Sequence, residues 1–136
     1  MYTSKSTTNK LDTKVLLSTL WIVVMINMLK ADILSLYIPG VVEELANFSP
    51  EIPIPLKMLA GAVTMEVSIL MIILSRVLKY RVNRWLNLIV AVITVVFVAG
   101  LGSSYPHYIF IATVEVVCLL LIIWNAWKWS DPEDRP

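Results

Sequence analysis

The stretch KMLAGAVTMEVSILMIILSRVLKY, Lys57–Tyr80, decides how the chain is read. It is an almost unbroken apolar run with one acid, Glu66, near its middle. An α-helix needs about 20 such residues to cross a bilayer core of about 30 Å. A carboxyl group at that depth is costly and normally faces protein or water, so Glu66 is a candidate functional residue.

The rest of the chain repeats this pattern. Apolar runs at 15–37, 56–78, 85–101 and 107–127 predict four transmembrane helices in a single all-α membrane domain, a four-helix bundle. Pro39-Gly40 ends the first run, because proline cannot donate into a continuing helix and disfavours helix in the residue before it. Residues 40–55 are too polar and proline-rich to span, and Val41–Asn47 is expected to form a short interfacial helix. Lys79–Arg84 is a short basic turn, and Gly102–Pro106 is a turn by composition. Polar segments at 1–14 and 128–136 read as tails. The first run is read as a retained span, since no small-residue cleavage site closes it and Asn27, Lys30 and Asp32 interrupt its end.

Composition agrees. Of 136 residues, 58% are hydrophobic and only 15% are charged, far too apolar a balance for a soluble domain of this size. A net charge of +1 gives no reason to propose nucleic acid as a partner. A single cysteine, Cys118, rules out an intrachain disulfide. No nucleophile–histidine pairing, phosphate loop or zinc pattern is visible, so neither a catalytic site nor a cofactor is expected. Metal binding by His107, Glu115 and Asp32 lacks any tight spacing motif.

Lysine and arginine set the expected orientation. Lys5, Lys10 and Lys14 precede the first span, and Arg76, Lys79, Arg81 and Arg84 surround the turn between the second and third. The first loop is acidic, with Glu43, Glu44 and Glu51 against Lys57. The positive-inside rule then places both termini in the cytoplasm of a multi-pass cell-membrane protein. Trp21, Trp85, Trp124, Trp127 and Trp129 are expected as anchors at the inner interface. Arg76 is expected to snorkel there.

Spans two and four echo each other. Thr64-Met65-Glu66-Val67 corresponds to Thr113-Val114-Glu115-Val116, and Lys79-Tyr80 to Lys128-Trp129. Each glutamate lies 13 residues from its inner lysine, about 20 Å along a helix. Asn27 reaches that level from the other direction, with Lys30 about one turn and Asp32 slightly more beyond it. Glu66, Glu115, Lys30, Asn27 and Asp32 are therefore candidates for one polar layer in the outer half of the bundle, rimmed by Tyr37, Tyr108 and His107. Two readings stand side by side. In one, the acids pair with Lys30 and Asn27 and only fix helix packing. In the other, they form a pocket for a small lipid-like or cationic amphipathic ligand, or a proton-coupled transport site.

NMLKADILSLYIPG, MEVSILMIILSRVLKYRVNRWLN and IATVEVVCLLLIIWNAWKW resemble a family of small prokaryotic four-span membrane proteins of unknown function, across nearly the whole chain. The acid in span two followed by the SRxLxYRxNRW turn is the most specific part. At fold level the chain is similar to the DoxX-like four-helix class, which includes the sterol-isomerase-related EXPERA proteins. That resemblance implies membrane-embedded acids lining a pocket for sterol-like or cationic amphipathic ligands. It leaves an isomerase as a further alternative. Small multidrug transporters are also four-span but rely on a glutamate within span one, and this chain has none there. The expected partners are thus membrane lipid, a small amphipathic ligand and, given the limited interior, a second copy in a homodimer.

Overall fold

The computed structural model describes residues 12–100 and 102–130. Lys5, Lys10, Leu101 and the last six residues of the C-terminal tail, all used in the sequence reading, lie outside these. Five α-helices follow one another: α1 Thr13–Ser35, α2 Val41–Asn47, α3 Ile54–Val77, α4 Tyr80–Gly100 and α5 Pro106–Lys128. Among the described residues there is no strand. All but α2 are long and apolar enough to cross a membrane, the pattern of a multi-pass membrane protein.

Local chemistry sets the helix ends. Asp12 caps α1 by accepting from the Lys14 N–H at 3.2 Å. Gly40 adopts φ 86° to turn the chain into α2, a conformation that costs glycine little. Proline stands in the first turn of α3 and of α5, where its missing N–H is no loss. α4 starts at Tyr80, five residues before the apolar run at Trp85, because only Leu78 and Lys79 separate it from α3. Lys57 is not a counter-charge to the loop acids. Its ammonium donates to the carbonyls of Leu45, Ala46 and Phe48 and closes the C-terminus of α2, where cations are favoured.

α1 is the central helix. It packs along α5 and α3, and α5 packs along α4. α3 and α4 share few contacts, and their side-chain hydrogen bonds lie near the turn that joins them. The apolar core is Leu17, Trp21, Val24, Met71, Leu88, Ala91, Cys118, Leu119, Ile122 and Ala126. It sits toward the end that carries the α3–α4 turn. At the opposite end, which carries α2, no residue of α3 from Ile54 to Val67 is buried. Four of the five indoles sit at the periphery, with Trp85, Trp124 and Trp127 more than half exposed and Trp129 partly covered. Trp21 corrects the expectation of an interfacial anchor, because it is wholly buried.

Candidate functional site

Two polar groupings occupy opposite halves of the bundle. The first, near the turn, is fully satisfied. The Trp21 indole N–H donates to Asn87 Oδ1 at 2.8 Å, and Ser75 Oγ donates to the same oxygen at 3.2 Å. The Asn87 amide donates to Asn83 O and Oδ1 at 2.8 and 2.7 Å. The Asn83 amide donates to Ser75 O at 2.7 Å and Leu78 O at 3.3 Å, occupying carbonyls that the end of α3 leaves without helical donors. Ser18 donates to Ile72 O at 2.9 Å and accepts from Arg76 Nε at 3.0 Å. Arg76 is exposed at this end, as snorkelling requires, and it also ties α3 to α1. Arg84 donates to the carbonyls of Ala126 and Trp127, and Tyr80 to that of Trp129, so α4 caps α5. Ser18, Trp21, Ser75, Asn83 and Asn87 are completely buried. Asn83 and Asn87 are not among the candidates that the sequence analysis singles out. Their signal was a pair of asparagines four apart beside a basic turn, which places both amides on one helix face.

The second grouping lies toward α2 and centres on Glu115. The inward stripe of α5 is Ile111, Glu115, Cys118, Leu119, Ile122 and Ala126, with helical spacing, and Glu115 is only 4% exposed. Asp32 from α1 and Tyr108 from α5 stand within electrostatic range of its carboxyl. Ser35 Oγ lies 3.3 Å from His107 Nε2 and locks the register of α1 against α5. Eight residues inward along each helix are Asn27 and Glu115, roughly 12 Å below that contact, so these two share a level. Glu115 makes no hydrogen bond to a described residue. Every fully buried side-chain nitrogen or oxygen in the described chain does have a partner. The little surface that Glu115 retains is therefore at its oxygens. Gly102 lies close against Tyr108, and a methyl group there would meet the phenol ring and the Val98 carbonyl at 3.1 Å. That side of Tyr108 borders a cleft of about 360 Å³ between α4 and α5, lined also by Ser103, Ala112 and Thr113.

The other candidates are placed differently. Glu66 is exposed on the face of α3 turned away from the bundle, opposite its buried Ser68, Met71 and Ser75. Lys30 is exposed on α1, and among the described residues it pairs with neither glutamate. Glu66 and Glu115 are not brought together, since α3 and α5 each pack on α1 and touch one another little. Asn27 is half-buried and donates to Val23 O in its own helix at 2.9 Å. Tyr37 is 81% exposed and lines nothing. His107 stacks on Tyr105, whose hydroxyl donates to the Glu44 carboxylate at 3.2 Å and ties α2 to the start of α5. Partial desolvation and the neighbouring Glu44 charge hold the Tyr105 phenol above its ordinary pKa.

No curated protein and no solved structure matches the chain. The model of a family of unknown function, DUF6326, matches residues 7–134, which takes in all five helices and both polar groupings. The chain belongs to this family.

Proposed function

We propose that the protein binds a small cationic amphipath from the membrane, with Glu115 as the anionic contact and Asp32 and Tyr108 beside it. One observation supports this above others: Glu115 is buried in the centre of the α5 inward stripe, yet no described residue satisfies its carboxyl. A carboxylate in low dielectric needs a cation or several donors to offset its desolvation. No described residue provides these, whereas the packing role falls to the satisfied group around Asn87. The cleft between α4 and α5 that Tyr108 borders gives a hydrocarbon tail room near the site. The reading accords with what the DoxX-like and EXPERA resemblance implies. The outward placement of Glu66 takes it out of this site.

Both termini face the cytoplasm in this reading. Lys14, Arg76, Lys79, Arg81, Arg84 and Lys128 share one end of the bundle, while Glu43, Glu44 and Glu51 share the other. Ser104→Cys in a Cys118→Ala background should then label from outside intact cells, and Arg81→Cys only after lysis.

Binding is tested with tetraphenylphosphonium, a hydrophobic cation, by equilibrium dialysis against the purified protein. Wild type should bind it, and Glu115→Gln should lose at least tenfold in affinity while its unfolding temperature is unchanged. Equal binding by both proteins, or by neither, would refute the proposal.

A further inference from the structure

Glu66 and Lys30 both stand on surfaces that the rest of the chain does not cover, and neither has a partner among the described residues. Ionisable groups within membrane-spanning helices almost always face protein, water or one another. Their relative depth follows from one contact. Ser68 Oγ lies 3.7 Å from Met28 Sδ across the α1–α3 seam. Lys30 is two residues beyond Met28, and Glu66 is two residues before Ser68. The two helices run antiparallel, so both steps lead toward α2 by about 3 Å. The two charges are therefore level. Two residues also turn a helix by roughly 200°, so both side chains point away from the seam and off the bundle.

A two-fold axis along the membrane normal preserves depth. Across such an axis residue i meets residue j, and j meets i, only if the two are level. We infer that the outer face of α1 and α3 is where a second copy of this chain docks, with Lys30 of each protomer against Glu66 of the other. Charge complementarity at matched depth selects this occupant over lipid, which offers neither charge within the hydrocarbon layer. α3 is the least covered of the four long helices. Its Leu59, Val63, Leu70 and Ile73, each half or more exposed, provide apolar contact on either side of the pair. Opposite charges that meet away from water satisfy one another, and a shifted register would leave both unpaired. This pairing does not depend on the Glu115 site.

Subunit counting in liposomes, by photobleaching of singly labelled protein, tests the arrangement, with thermal unfolding as the control for folding. Wild type should be dimeric. Lys30→Glu alone and Glu66→Lys alone should be monomeric, because each then sets like charges against one another. An equimolar mixture of the two variants should dimerise, because one offers two negative groups and the other two positive ones. A monomeric wild type would mean that lipid covers this face and would overturn the inference. So would a single variant that dimerises normally, or a mixture that stays monomeric. If the reversed charges prevent folding, Lys30→Gln and Glu66→Gln decide the matter: each should weaken dimerisation by about tenfold or more, and unchanged dimerisation overturns the inference.

Discussion

Trp21 on α1 donates its indole N–H to Asn87 on α4 across 2.8 Å, with both residues wholly inside the bundle. Among the described residues no other side-chain hydrogen bond joins these two helices, and α1 packs mainly on α3 and α5. The bond draws the first and fourth helices into one layer with Ser75 of α3. Asn87 accepts two hydrogen bonds and donates two. Removing it leaves several buried groups without partners at once.

Asn87→Leu should therefore destabilise the protein by roughly 2 kcal/mol, the cost of stranding buried polar groups. Trp21→Phe should cost less, since it removes a donor and strands only half of one acceptor's capacity. Together the two changes should cost clearly less than their sum. Unfolding in mixed micelles by increasing denaturing detergent measures all three, and strict additivity would mean that the two side chains are not coupled.

Glu115→Leu provides a contrasting case. A buried acid without a partner contributes desolvation cost and little return, so an apolar replacement should be neutral or stabilise by about 1 kcal/mol. A loss of 2 kcal/mol or more in the same assay would show that the carboxyl holds the bundle together.

Arg84→Met removes the donor to the Ala126 and Trp127 carbonyls while keeping most of the aliphatic stem. The last turn of α5 should fray. Hydrogen exchange over Trp124–Lys128 should quicken by about tenfold, equivalent to roughly 1.4 kcal/mol of local opening, while exchange in the core of α1 is unaltered. Uniform exchange across both segments would contradict the capping role.

Lys57→Ala and Tyr105→Phe should each loosen α2 without unfolding the long helices, since these two side chains hold it down. The Tyr105 contact needs the protonated phenol. Its pKa is raised in the fold, so its contribution is complete below the ordinary tyrosine range and is lost only as pH rises through the higher folded value. Exchange protection of α2 should hold between pH 6 and 8, roughly two units or more below tyrosine's ordinary pKa of about 10. A collapse of protection within that window would exclude the phenol as the tether.

Much of the architecture was legible before any coordinates. The lengths and apolarity of four runs announce spanning helices, because a bilayer leaves a chain few ways to satisfy its backbone. Pro39-Gly40 and Tyr105-Pro106 mark breaks, and Val41–Asn47 reads as a helix from its own composition. Glu115 and Tyr108 fall on one face by spacing alone. Glu66, in the stretch that first identified the fold, was less transparent. In a span that is apolar all round, periodicity does not say which side is inside. Nothing in that run reveals that α3 would stand clear of α4 and turn its acid outward.

The chain's own order of residues determined that this is an all-helical protein with four bilayer-length helices, and which residues bring polar groups to similar depths. That information is local, held in helix rise and in the cost of burying backbone and charge. Tertiary structure decided which polar groups meet. It drew Trp21, Ser75, Asn83 and Asn87 into one satisfied cluster, left Glu115 buried without a partner among the described residues, and set Lys30 and Glu66 level on the outside. Those outcomes depend on the rotation of each helix about its axis, which is set by side chains packing across helices far apart in sequence.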